Sequence, residues 1–483
     1  MSSYRFRWVY CQLETLRHCL PPSIRGILDE LPQTLDETYE RILRDINKTN
    51  RDHAYRLLHC LTVAIRPLHV EELAEVLAVD FDAALQGGIP KPNPNWRWAD
   101  QNQAVLSTCS SLIAIVDDED SQVVQFSHFS VKEFLVSDRL AHSSGDVSRY
   151  HIHLEPAHTI LAQACLGVLL NLDGSFNALN AKDVPLAEYA AQHWADHVRF
   201  ENVSTRIQVA VEYLFDVDKV HLAIWLQIHN IDRGAWFMSN PVPHAQPLYY
   251  AALCGLYDLA KCLAVKHPEH VNARGGRYET PLVAALQCKH FRVADMLHQH
   301  GADIDVRDGW NRTLLHPASV NGDVDIVRWL LSHGMDANSL GEYGWSALHM
   351  ACHKGSAQVV QVLLEHNADI NARNDKGAVP LHMATSPRNI DDQTPMLQLL
   401  LDYGADVNTQ DNEGSTPLHY SSLRESEYGD EFSGTVECTR FLLEHGASID
   451  AENNMGETPR RRAIAARGTN DRIAEFLAEC SAK

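Results

Sequence analysis

The chain has 483 residues, 45% of them hydrophobic, which is enough for three or more domains with buried cores. Its formal net charge of −22 argues against a general binder of nucleic acid or anionic membrane, whose phosphates attract Lys and Arg. The 11 cysteines are scattered without a C-x-x-C pair, a pattern of reduced intracellular thiols rather than of a disulfide or zinc framework. The opening "MSSYRFRWVY" has no uninterrupted apolar run, so no signal peptide is expected. The longest apolar stretch, "TILAQACLGVLLNL" at 159–172, is too short to span a bilayer and contains Gln163, which predicts a buried helix. A cytoplasmic protein with no membrane partner is the expectation.

In chain order, "LPQTLDETYERIL" at 31–43 comes first. Thr34 and Glu37 form a Thr-x-x-Glu capping box, and Leu35, Tyr39, Ile42, Leu43 and Ile46 make one apolar stripe of the helix that follows. Between 52 and 142, "HAYRLLHCLTVA" and "VEELAEVLAV" predict helices, "QGGIPKPNPN" a loop, and "AVLSTCSS" another helix. "LIAIVDDEDSQVVQFSH" is two β-rich strings around the acidic turn Asp117–Ser121, hence a hairpin, and "FSVKEFLVSDRLA" returns to helix.

Helices with a two-stranded wing and a closing helix resemble a winged-helix domain. A winged helix can read DNA, but the helix around Val70–Val79 carries Glu71, Glu72 and Glu75 and no Lys or Arg, the wrong sign for phosphates. Internal packing is the better reading of that helix. In "HWADH", His193 and His197 lie one helical turn apart, as in zinc proteases. Trp194 stands where the general-base Glu would be, so protease chemistry fails and bare metal binding competes with ordinary helix packing. "YHIHLEPAH" supplies His151, His153 and His158, a looser cluster with the same two readings.

From 246 onward the sequence repeats itself, as in "QPLYYAALCG", "SALHMACHKG" and "TPLHYSSLRE". The markers Pro247, Pro281, Leu314, Ala347, Pro380, Pro417 and Pro459 are spaced by 34, 33, 33, 33, 37 and 42 residues. Thr280, Thr313 and Thr416 can cap a first helix, and Leu282, Leu348, Leu381 and Leu418 face the neighbouring unit. A second helix with a Leu pair follows, then Gly301, Gly334, Gly404 or Gly446, with Asn367 in the same left-handed role. One such unit cannot bury its own apolar face, so the stack depends on neighbours. A 33-residue period with a T-P-L-H core resembles the ankyrin repeat. The resemblance implies that His316, His349, His382 and His419 hold the turn by local hydrogen bonds rather than bind metal. Arg460–Arg462 reads as a solubilising cap. The extra residues at 386–395 and 424–434 read as loops, either tolerated drift or contact surface.

"SSLIAIVDDEDSQVVQFSHFSVKEFL", "LPQTLDETYERIL", "PLAEYAAQHWADHV" and "VHLAIWLQIHNID" resemble segments that follow the nucleotide-binding core of fungal-type NACHT–ankyrin proteins, members of the STAND class of signalling NTPases. A NACHT core needs a Gly-rich loop ending in Gly-Lys-Ser/Thr to cradle phosphates, and the sequence contains no such triplet. The expected fold is mainly α, with four parts. Residues 1–50 are the helical tail of a NACHT-type module and 51–142 a small winged-helix-like α+β domain. A helical connector spans 143–240, and 241–483 form an ankyrin-repeat α-solenoid of about seven repeats with short hairpins.

The resemblance implies a non-enzymatic, cofactor-free protein-interaction module, the sensor and regulatory arm of a STAND-type signalling protein. The alternative is a truncated part of an ATP-hydrolysing NACHT NTPase. The expected partner is a protein ligand, with a NACHT-bearing relative as the second candidate and nucleic acid excluded. The binding face is placed on large amphipathic or charged residues at the hairpin tips: Arg277, Tyr278, Arg307, Trp310, Tyr343, Trp345 and Arg373. The competing reading packs these aromatics between adjacent fingers.

Overall fold

The computed structural model describes residues 34–81, 89–109, 111–118, 121–143, 145–173, 183–216, 218–229, 231–232, 245–385, 393–422, 436–467 and 472–481. The expected tail at 1–50 therefore lies largely outside the described residues, as do most of the two inserted loops. The chain divides into two compact units, Met1–Pro281 and Leu282–Lys483.

In the first unit α1 (Leu35–Asp45) begins at the expected capping box. Thr34 Oγ1 accepts from Glu37 N at 3.1 Å and Glu37 Oε2 from Thr34 N at 3.3 Å. Its stripe packs on α5 (Phe129–Leu135): the Tyr39 ring lies 5.5 Å from that of Phe134, tilted by 45°, and its hydroxyl meets Ser130 Oγ at 2.8 Å. Between them lie α2 (Arg51–Val63), β1 (Leu68–His69), α3 (Val70–Leu77), a ribbon of β2 (Val79–Asp80) and β3 (Lys91–Pro92), and α4 (Gln101–Cys109). The wing is β4 (Ile113–Asp118) and β5 (Ser121–Phe126), paired from Ile113↔Phe126 to Asp118↔Ser121, and β1 joins β5 in a three-stranded sheet of order β1-β5-β4. Leu68, Val70, Leu73, Val123 and Val124 fill the space between sheet and helices.

The apolar stretch at 159–172 forms most of α6 (Leu154–Leu169), buried among its neighbours. The connector continues with α7 (Ala187–Val198), α8 (Gln208–Leu214) and α9 (His221–Ile228), joined by Trp194, Phe215 and Trp225. Trp194 and Trp225 meet edge to face at 5.4 Å, and Trp225 Nε1 donates to Ala191 O at 2.8 Å. The first repeat-like pair, α10 (Pro247–Leu253) and α11 (Tyr257–Lys266), belongs to this unit.

The second unit begins within α12 (Pro281–Gln287), paired with α13 (Phe291–Gln299). Five more pairs follow: α14 (Leu315–Asn321) with α15 (Val324–Ser332), α16 (Ala347–Lys354) with α17 (Ala357–Glu365), α18 (Pro380–Ala384) with α19 (Thr394–Asp402), α20 (Pro417–Tyr420) with α21 (Val436–Glu444), and α22 (Pro459–Arg467) with α23 (Arg472–Ser481). Leu348, Leu381 and Leu418 are fully buried, as the T-P-L-H register requires, and the Leu of each second helix packs behind them. This is a helical ankyrin solenoid with short fingers between pairs. Arg460, where an inward Leu would stand, faces solvent. Among the described residues no helix is long and apolar enough to cross a membrane.

Candidate protein-interaction site

The repeat histidines are framework. In His316, His349, His382 and His419, Nδ1 accepts from the backbone N–H three residues earlier at 3.1–3.2 Å. Each Nε2 donates at 3.0 Å to a carbonyl of the next finger, at Trp345, Ala378, Ser415 and Glu457. Both nitrogens are committed and the neutral ring is the one that fits. Burial pushes the imidazoles of His349 and His382 down to about 4 and lowers those of His316 and His419.

The fingers have their own recurring device. Oδ1 of Asp308, Asn374, Asp411 and Asn453 each accepts two backbone N–H groups, two and four residues on, and so closes the tip. Arg307 and Arg373 reinforce it. Arg307 Nη1 donates to Asn311 O at 2.7 Å and Leu340 O at 3.0 Å; Arg373 Nη1 donates to Gly377 O and Gln410 O, both at 2.9 Å. Of the seven residues singled out from sequence, these two arginines tie one finger to the next.

The finger at 340–346 breaks the pattern. Gly341 stands where the Asp or Asn would be, so residue 341 has no side chain of its own to accept the two N–H groups. A 3-10 turn, Glu342–Gly344, forms this tip, and Gly341 N donates to Trp345 O at 2.8 Å, the same backbone bond that residues 308, 374, 411 and 453 make in their fingers. Tyr343 is driven to φ 56° and its side chain stays 57% exposed. Trp345 is half-buried, its ring 5.5 Å edge-on from His353 and 6.0 Å from His349. Together they open onto a pocket of about 300 Å³ lined also by Arg312, Val320, Glu342, Met350, His353 and Lys354. Trp310, on the preceding finger, is 57% exposed and lies under the Arg312 guanidinium at 4.6 Å, while Arg312 pairs with Asp308 at 2.7 Å.

Arg277 and Tyr278 lie in the first unit. Arg277 is exposed and sits over the Tyr278 ring at 5.3 Å. Their backbone N–H groups are fixed by Asp232 Oδ2 (3.2 Å) and the Tyr249 hydroxyl (3.2 Å), and that hydroxyl donates to Asp232 Oδ1 at 2.6 Å. Sequence reasoning missed Val320, Met350, His353 and Lys354, all on the inner helices α14 and α16. They are the half-exposed positions following each buried repeat His, a signal present in the sequence but meaningful only once adjacent repeats are placed side by side.

The other constellations resolve differently. His193 and His197 do not converge on one point. His197 is buried, with Nδ1 2.9 Å from His158 Nδ1 and Nε2 3.0 Å from the Tyr189 hydroxyl, and burial lowers its imidazole to about 3. His193 Nδ1 faces Asp196 at 3.3 Å. In the winged-helix region Glu72 is held by Arg66 at 2.5 Å and Glu75 by Arg97 at 2.6 Å, so both acids are internal partners. Helix α4, which leads into the wing as a recognition helix does, has neither Lys nor Arg.

Residues 300–374 and 381–483 match the family of ankyrin repeats (3 copies), and 277–309 match a further ankyrin repeat. Residues 39–145 match the GPI inositol-deacylase, winged helix domain. The azaphilone pigments biosynthesis cluster protein L of Monascus ruber is 33% identical over 297 residues, 57% of this chain and 61% of that protein. The ankyrin repeat and SAM domain-containing protein 6 of Mus musculus is 36% identical over 87 residues, 17% of this chain and 10% of its own length. The alpha-latrocrustotoxin-Lt1a of Latrodectus tredecimguttatus is 32% identical over 106 residues, 22% of this chain and 7% of its own length. The chain thus spans 61% of the first relative and a tenth or less of the other two. It carries a winged-helix domain of the GPI inositol-deacylase type followed by ankyrin repeats.

Proposed function

We propose that the chain is a non-enzymatic, cytoplasmic protein-interaction module whose ankyrin repeats grip a protein ligand through the fingers and inner helices around Tyr343 and Trp345. The observation that carries this reading is a contrast within the second unit. The repeat histidines and the finger arginines hold the stack, whereas the exposed Tyr343 and the half-buried Trp345 line a concave pocket of about 300 Å³ together with Met350 and Lys354. Large amphipathic rings beside a concavity with Met350 and the Lys354 stem match the composition of interface anchors. In a longer relative, a winged helix followed by repeats would act as the regulatory arm of a STAND-type NTPase. Ligand bound to the repeats would then bias the conformation that the winged helix restrains.

The test is affinity capture from cell extract with the full chain as bait. A Tyr343→Ala/Trp345→Ala double variant is expected to lose partner recovery about tenfold or more, as truncated anchors do. Its urea midpoint should fall little, because Tyr343 is exposed and Trp345 half-buried. Equal recovery by wild type and variant contradicts the assignment of this face.

A further inference from the structure

The first helix pair ends differently from those after it. Two residues past the second helix of a pair, Gly301, Gly334, Gly404 and Gly446 take φ of 88°, 90°, 91° and 90°, and Asn367 takes 63°. The equivalent residue of the first pair is Pro268. Its ring fixes φ near −65°, so the left-handed turn is closed to it. The chain runs instead into a 3-10 turn, Pro268–His270. Side chains three residues apart eclipse in such a turn. The His267 and His270 rings accordingly stack, 5.0 Å apart and 18° from parallel, with Glu269 between them in sequence.

The same change releases a side chain. Nδ1 of His300, His333, His366 and His445 donates to the carbonyl four residues back in its own helix, at 2.8, 2.8, 2.9 and 2.8 Å. His267 holds the equivalent position, yet its Nδ1 faces Glu269 Oε1 at 3.4 Å, and His270 Nε2 lies 3.7 Å from that same oxygen. The neighbouring Lys266 ammonium is engaged by Glu212 at 3.6 Å.

We infer that His267, Glu269 and His270 form a zinc site. Their three donor atoms lie within 4.8 Å of one another. Donors bound about 2.0–2.1 Å from a tetrahedral zinc stand about 3.4 Å apart, so two of the three separations are already close to the bound geometry. Two imidazoles and one carboxylate are the donor set of open zinc sites, with the fourth position left to water or an incoming ligand. Glu269 is 63% exposed and His267 37%, so the metal can enter and that fourth position faces outward.

Calorimetric titration of the metal-stripped full chain with zinc chloride tests this. His267→Ala/His270→Ala is expected to remove one equivalent of bound zinc, and Glu269→Gln, which replaces an anionic ligand by a neutral amide, to weaken or remove that same equivalent. A urea midpoint equal to the wild type's certifies the variants' fold. Independently of any substitution, zinc-soaked crystals of the unaltered chain should show an anomalous-scattering peak between the three side chains. Unchanged zinc stoichiometry in the double variant, or an anomalous map with no peak there, overturns the assignment.

Discussion

His349 shows how one side chain serves two repeats. Its Nδ1 accepts from Ser346 N at 3.2 Å and its Nε2 donates to Ala378 O at 3.0 Å, both within the buried core. Protonation would force a second donor against the Ser346 N–H, and burial opposes the charge as well. The folded imidazoles of His349 and His382 titrate at about 4, below the 6.5 of the unfolded chain. The unfolded state therefore binds more protons between those values, and stability falls as pH drops through that window. The contribution is complete above 6.5 and gone below about 4, on the order of 3 kcal/mol for each histidine. Urea midpoints of the repeats, followed by tryptophan fluorescence, should decline steadily from pH 7 to pH 4.5. A flat midpoint over that range would show that the rings are not held neutral by the stack.

Among the elements, the fingers hold the least tolerance. Gly377 takes φ 72°, and a Cβ there would sit 2.3 Å from Asn412 Oδ1 and 2.9 Å from Asn412 N. That asparagine bonds back to the finger at 374–377, through Nδ2 to Asp375 O at 3.0 Å and through its N–H to Lys376 O at 2.9 Å. Gly377→Ala meets a left-handed backbone and a rigid neighbour at once, and is expected to cost about 2 kcal/mol or more in urea unfolding. A cost below about 0.5 kcal/mol, the ordinary surface value, would mean the ladder can yield. Much at this scale was legible in the sequence. The 33-residue period, the Leu pairs, the capping box at Thr34 and the β4–β5 hairpin all follow local rules of spacing and turn chemistry. What escaped was juxtaposition. His158 and His197, 39 residues apart in sequence, meet between α6 and α7, and the Trp345 pocket draws on the first helices of two repeats. The departure at Gly341 shows only when it is set against Asp308, Asn374, Asp411 and Asn453 at the equivalent places.

For the whole molecule, the winged-helix region and the repeats pose one question, namely what the chain grips and where. Net charge, the paired acids Glu72 and Glu75, and an α4 without basic residues weigh against nucleic acid as the partner. The finger and inner-helix face offers apolar rings beside a concavity, and a protein surface is what such a face suits. The most direct measurement is hydrogen exchange of the full chain with and without its captured partner, read peptide by peptide. Slowed exchange is expected to concentrate in the fingers and first helices over 307–321 and 340–354, with the second helices over 324–332 and 357–365 unchanged. Protection confined to those second helices, or to 51–142 alone, would contradict this.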